Sequence, residues 1–180
     1  MISQQLRVVD AHGKDVPADG RALGEIALRG NNVMLGYYQD EIATRKAVPD
    51  GWFRTGDLGV MHPDGYIEIK DRAKDIIISG GENIASVEIE RSLCSHSAVM
   101  DAAVVAGPDP KWGEVPVAFV TLKAGAAATA EELVAWAREH LAHFKAPQRV
   151  VFGDLPRNAT GKIQKFVLRE RARELMKRVS

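Results

Sequence analysis

The chain has 180 residues, 46% hydrophobic and 27% charged, an ordinary globular composition with room for one or two packed domains. Its 24 basic residues balance 24 acidic ones, so net charge gives no ground for a nucleic-acid or membrane-surface partner. A single cysteine, Cys94, excludes an intrachain disulfide and fits a reducing, cytoplasmic setting. Apolar runs such as Ala102 to Ala106 are too short for a transmembrane segment, and no targeting leader is expected.

Residues 1–73 read as short strands between turns, a small β-rich subdomain. Leu6, Val8 and Val9 mark one strand and Leu23 to Leu28 a second, with Leu23, Glu25 and Leu28 alternating with Ile26. Asp40 to Val48 suits a short helix, stopped by Pro49-Asp50-Gly51, which cannot continue it. Gly56 to Met61 then pairs with Tyr66 to Lys70 through His62-Pro63-Asp64-Gly65.

Residues 74–180 alternate helical and strand signals, so the fold class expected is α+β. Ile76 to Ile78 is an apolar strand, and Ser86 is placed to cap a helix reaching about His96. Ala102 to Ala106 and Val115 to Leu122 read as buried strands. Thr129-Ala130-Glu131-Glu132 has capping-box spacing, with Leu133, Ala137 and Leu141 on one helical face behind it. Val150 to Phe152 is a last strand. Leu168, Ala172, Leu175, Met176 and Val179 mark the inner face of a final helix that is basic outside.

Three segments carry chemistry when taken together: Gly51-Trp52-Phe53-Arg54-Thr55-Gly56-Asp57; Asp71-Arg72-Ala73-Lys74-Asp75 running into Ser79-Gly80-Gly81-Glu82-Asn83; and Asn158-Ala159-Thr160-Gly161-Lys162. Alone, each has a plainer reading, as a turn, a strand-to-helix connection and a lysine in a loop. Gly161-Lys162 is not a phosphate-binding P-loop, because Pro156 stands where that motif needs glycine. In order and spacing the three resemble the C-terminal signatures of the adenylate-forming superfamily, which holds AMP-forming acyl-CoA synthetases, peptide-synthetase adenylation domains and luciferases. The Gly-Gly-Glu-Asn form favours the acyl-CoA ligases.

The resemblance implies roles. Asp57 would hold the ribose hydroxyls of ATP or AMP, where a carboxylate's two acceptors suit two donors. Arg72 would contact the nucleotide with its fork of donors, and Lys74 would be the hinge. Lys162 would sit between the carboxylate substrate and the α-phosphate, offsetting the charge that gathers as two anions meet. Gly80, Gly81 and Glu82 would border the coenzyme A channel, with a bare Gly81 allowing close approach, and Trp112 and Phe144 would contact coenzyme A. Lys111, Lys145 and Arg149 are basic residues placed to meet its phosphates.

The same resemblance implies ATP, Mg2+ and coenzyme A as cofactors and a carboxylic, fatty acid as substrate. Relatives carry their Ser/Thr/Gly-rich phosphate loop, acid pocket and most Mg2+ contacts in an N-terminal AMP-binding domain, which these residues do not include. That domain is therefore the expected partner, in cis or in trans, and the chain alone is expected to be inactive. The alternatives are a non-catalytic or truncated lid module and an adenylation-domain fragment that loads a carrier protein.

Overall fold

The computed structural model describes residues 4–177, and the chain parts after Lys74 into two units, Met1–Lys74 and Asp75–Ser180. Strands and helices are mixed throughout, which is the α+β class the sequence predicts.

In the first unit Gln4–Val9 (β1), Leu23–Gly30 (β2), Phe53–Met61 (β3) and Ile67–Arg72 (β4) form an antiparallel sheet in chain order. The β3–β4 connection closes as the sequence suggests: His62 N–H donates to Tyr66 O (2.8 Å) and Gly65, at φ +83°, donates to His62 O (2.9 Å). The helix Glu41–Ala47 (α1) starts where Asp40 accepts from Ala43 N–H (2.8 Å), and Pro49–Gly51 turns it off as a single 3-10 turn. The core of this unit is thin. Val8, Val9, Ile26, Ala27 and Val60 are buried, whereas Leu35, Tyr38 and Ile42 are 102%, 90% and 83% exposed.

The second unit is built on Val99–Asp109 (β7) and Gly113–Leu122 (β8), an antiparallel hairpin longer at both arms than the apolar runs suggest. Ile77–Ser79 (β5) meets β8 at Gly113 and pairs with Glu82–Ile84 (β6); Arg149–Phe152 (β9) runs parallel to β8 from Val117. Both faces of the hairpin are covered, which is why its strands read as continuous apolar runs and not as alternation. Ala102, Val104, Ala118 and Val120 pack with Ile89 and Leu93 of Ser86–Cys94 (α2) and with Leu133 and Ala137 of Ala130–His140 (α3). Ala103, Val105, Val117 and Phe119 pack on the other side against Leu168 and Ala172 of Lys165–Lys177 (α4). Val179 lies outside the described residues.

Thr129 does cap α3, accepting from Glu132 N–H (3.1 Å) while Glu132 accepts from Thr129 N–H (2.8 Å). Ser86 does not cap α2. It is the first helical residue, fully buried, after an extended Ala85 that makes no side-chain cap bond. Its hydroxyl instead accepts from Lys165 Nζ (2.7 Å), whose ammonium also lies 2.8 Å from Glu90 Oε1. Glu90 in turn accepts from Val104 N–H (2.7 Å). One carboxylate thus ties α2, β7 and the start of α4 together, and Arg169 of α4 adds an ion pair to Asp75 (2.7 Å).

Leu168→Ala should therefore cost about 2–5 kcal/mol, the scale for truncating a fully buried leucine. Phe166→Ala, two residues away and 56% exposed, should stay within about 0.5 kcal/mol. Urea midpoints of the two variants test the assignment of the inner face.

Candidate functional site

Strand pairing brings the first two predicted residues together. Asp57 of β3 lies opposite Arg72 of β4, with Arg72 Nε 3.6 Å from Asp57 Oδ1 and the side chains 38% and 62% exposed for Asp57 and Arg72. The strand before Asp57 is held by contacts that reach β2 and the end of β4. Gly56, at φ +74°, donates to Glu25 Oε1 (2.9 Å) and accepts from Ala73 N–H (2.8 Å), while Thr55 Oγ1 donates to Ile26 O (2.8 Å). Glu25 showed in the sequence only as one polar position of a strand. Asp71 is buried and accepts from Arg72 N–H (2.8 Å), fixing the backbone next to that arginine. Lys74 is exposed in the turn after β4.

The Gly80-Gly81 segment differs from its expected form. It is not a strand-to-helix connection but the two-residue turn of the β5–β6 hairpin, Ser79 pairing with Glu82 and the glycines at φ +59° and +89°. Two consecutive positive φ values are what such a hairpin turn demands and what glycine supplies without strain. Gly80 N–H donates to Trp112 O (2.9 Å), and Glu114 Oε2 accepts from Ile78 N–H (2.9 Å), so the β7–β8 connection holds this turn in place.

Gly80, Glu82, Trp112 and Phe144 line one cleft of about 670 Å3, together with Arg138 and His143. Trp112 and Phe144 are 45% and 50% exposed, so neither is a core packing residue. Gly81 is not part of the lining. A Cβ on Gly80 would come 2.9 Å from the Trp112 ring, whereas one on Gly81 would meet nothing within 4 Å. Of the basic residues, Lys111 lies 4.6 Å over the Trp112 ring and Arg149 lines an adjoining groove. Lys145 is committed to Glu88, at 2.8 and 2.7 Å from its two oxygens.

Lys162 stands in the loop between β9 and α4. Asn158 folds that loop: its Oδ1 accepts from Thr160 N–H (3.1 Å), Thr160 Oγ1 (2.8 Å) and Lys162 N–H (2.9 Å). Asn158 N–H donates to Lys162 O (3.0 Å) and Gly161, at φ +80°, donates to Asn158 O (2.9 Å). Lys162 is exposed, and its ammonium makes no ion pair with the described residues. An ammonium held by a fixed backbone and left without a partner is equipped to meet an anion from outside. Among the described residues no group of three His, Cys, Asp or Glu side chains is placed to hold a metal ion. Nor is any described helix long and apolar enough to cross a membrane.

Residues 88–162 match the family described as AMP-binding enzyme C-terminal domain. A probable CoA ligase of Humulus lupulus, CCL11, is 57% identical over 171 residues, covering 92% of this chain and 30% of that protein. The 2-methylpropanoate–CoA ligase CCL4 of the same plant is 53% identical, covering 96% and 32%, and the peroxisomal acetate/butyrate–CoA ligase AAE7 of Arabidopsis thaliana is 52% identical, covering 96% and 31%. The crystal structure of ATP-bound MatB from Rhodopseudomonas palustris matches with a TM-score of 0.88 and 36% identity, over 96% of this chain and 34% of that one. The chain thus spans about a third of the length of the proteins it matches.

Alanine at either turn glycine should cost about 1–2 kcal/mol of backbone strain, because both sit at positive φ. Only Gly80→Ala should also displace the Trp112 ring. Near-ultraviolet circular dichroism should change for Gly80→Ala and stay unaltered for Gly81→Ala.

Proposed function

The chain belongs to the adenylate-forming enzymes through its AMP-binding C-terminal domain, and from that premise we propose that it serves as the nucleotide-contacting edge and lid of an acid–thiol ligase. In the first half-reaction an oxygen of the carboxylate attacks the α-phosphorus of ATP and pyrophosphate leaves, giving an acyl-adenylate. In the second, the sulfur of coenzyme A attacks the acyl carbon and AMP leaves, giving the thioester. The observation that carries the reading is the Lys162 ammonium on its folded loop, without an ion pair among the described residues and within the stretch that matches the family.

Each role follows from chemistry the residues possess. Lys162 offsets negative charge on oxygens as carboxylate and α-phosphate converge, an interaction that a water-excluding site strengthens. Asp57 accepts from the ribose hydroxyls and Arg72, beside it, donates to nucleotide oxygens. The cleft at Gly80, Glu82, Trp112 and Phe144 takes the pantetheine arm and adenine of coenzyme A, with Trp112 and Phe144 as exposed aromatic contacts. The partner is the N-terminal AMP-binding domain, which brings the acid pocket and Mg2+, and the exposed Leu35, Tyr38 and Ile42 suit a surface that such a domain covers. The acid is a short-chain fatty acid; acetate, butyrate and 2-methylpropanoate in the names of relatives support that class.

The test uses an enzyme assembled from this chain and the N-terminal two-thirds of a related CoA ligase. Lys162→Ala should lower adenylate formation roughly a hundredfold or more, the scale for losing one electrostatic stabiliser. Thioester formation from supplied acyl-adenylate should survive. Equal loss in both steps would mean that Lys162 is structural.

The hinge is assigned to Lys74, the last residue of the first unit. Rotation there swaps Lys162 for the Gly80 turn at the reacting centre, so Lys74→Pro, which fixes φ near −65°, should separate the half-reactions by freezing one arrangement. A well-folded Lys74→Pro enzyme that makes thioester at the unmodified rate places the pivot elsewhere.

A further inference from the structure

The loop that carries Lys162 is fastened at one more point, which the three signature segments do not include. Arg157 precedes Asn158 and reaches both ways. Its Nη1 donates to Gly161 O (2.6 Å), and its Nη2 donates to Asp101 Oδ2. Asp101 is itself held, because its other carboxylate oxygen accepts from Ala102 N–H (2.9 Å) at the beginning of the buried run of β7. A β-bulge lies between Val99 and Asp101, where one extra residue re-aims the side chains beyond it.

We propose that Arg157 is a positioning residue for Lys162, strapping the lysine's turn to the bulged start of β7 so that the ammonium is aimed before any ligand arrives. The proposal rests on the adenylation reading of Lys162. The loop's carbonyls are the basis. Asn158 O is taken by Gly161 N–H, Lys162 O by Asn158 N–H and Gly161 O by Arg157. Of these bonds, only the last leaves the loop, through the second arm of the same guanidinium to Asp101. Asn158 gives the turn its shape, and Arg157 gives it a place. A planar fork with five donors serves a carbonyl and a carboxylate at once; an ammonium, which is a point donor, serves them less well. The strap matters because misplacing a catalytic group by about 1 Å costs about a hundredfold in rate.

Amide hydrogen exchange on the 180-residue chain tests the strap without acid or nucleotide. Arg157→Ala should speed exchange at Gly161 and Lys162 about five- to tenfold, the scale for one lost hydrogen bond. Val104 and Phe119 in the hairpin should keep their protection. Asp101→Asn, which keeps the shape and removes the charge, should loosen the same two amides less. Unchanged exchange in both variants overturns the proposal, as does equal loss in loop and hairpin, which would mark Arg157 as a general stabiliser. In the assembled ligase, Arg157→Ala should lower kcat of adenylation about 10- to 100-fold, with KM for acid and ATP little changed, and Arg157→Lys should restore part of it. An equal fall in the thioester step overturns the positioning role. If the unsubstituted assembly makes no adenylate, the functional reading falls, while the exchange result still decides whether the strap exists.

Discussion

The second unit depends on burying both faces of one hairpin. Because α2 and α3 cover one side of β7 and β8 while α4 covers the other, residues of adjacent number point into different cores. A strand so enclosed cannot twist or slip without exposing apolar side chains, so it is the fixed frame from which the chemical loops extend. The Gly80 turn leans on the β7–β8 connection through Trp112, and the Lys162 loop is fastened to the start of β7. The candidate site residues are thus carried by loops, and the strands fix where those loops stand.

Polar anchoring follows the same economy. Glu90 lies inside the α2 side of the frame and serves Val104 N–H and Lys165 together. A carboxylate and an ammonium that are each less than a fifth exposed cost desolvation, and that cost is met only when their remaining bonds are made. Here the partners are a strand amide and the Ser86 hydroxyl. The pair contributes little to net stability, but it fixes the helix that begins three residues after Lys162.

What the sequence disclosed was local. Thr129 and Glu132 find each other across one turn, so their spacing suffices, and the apolar runs of β7 and β8 announce burial whatever covers them. What it hid was set at a distance. Ser86 has the composition of a helix cap, yet Lys165, 79 residues away, claims its hydroxyl and burial draws it into the helix. The short strand Glu82–Ile84 was masked because Gly80-Gly81 signals a turn equally well before a strand or a helix. Which glycine is crowded depended on Trp112, which no local rule brings beside Gly80. For the candidate site, the motifs around Asp57, Arg72 and Lys162 could be read from the sequence as expectations, whereas the contacts that Glu25, Asp71 and Arg157 make beside them appear only in the fold.

Strand β7 ends the sheet, and an end strand is a template on which another chain can pair. Here the template is spoiled at three places along the strand. Ala102 N–H is taken by its neighbour's carboxylate, Val104 N–H by Glu90, and Pro108 has no N–H to offer. The same anchors that orient the frame thereby deny it a ladder for recruiting a second sheet. The unit can therefore expose that edge to a crowded solution without seeding aggregates.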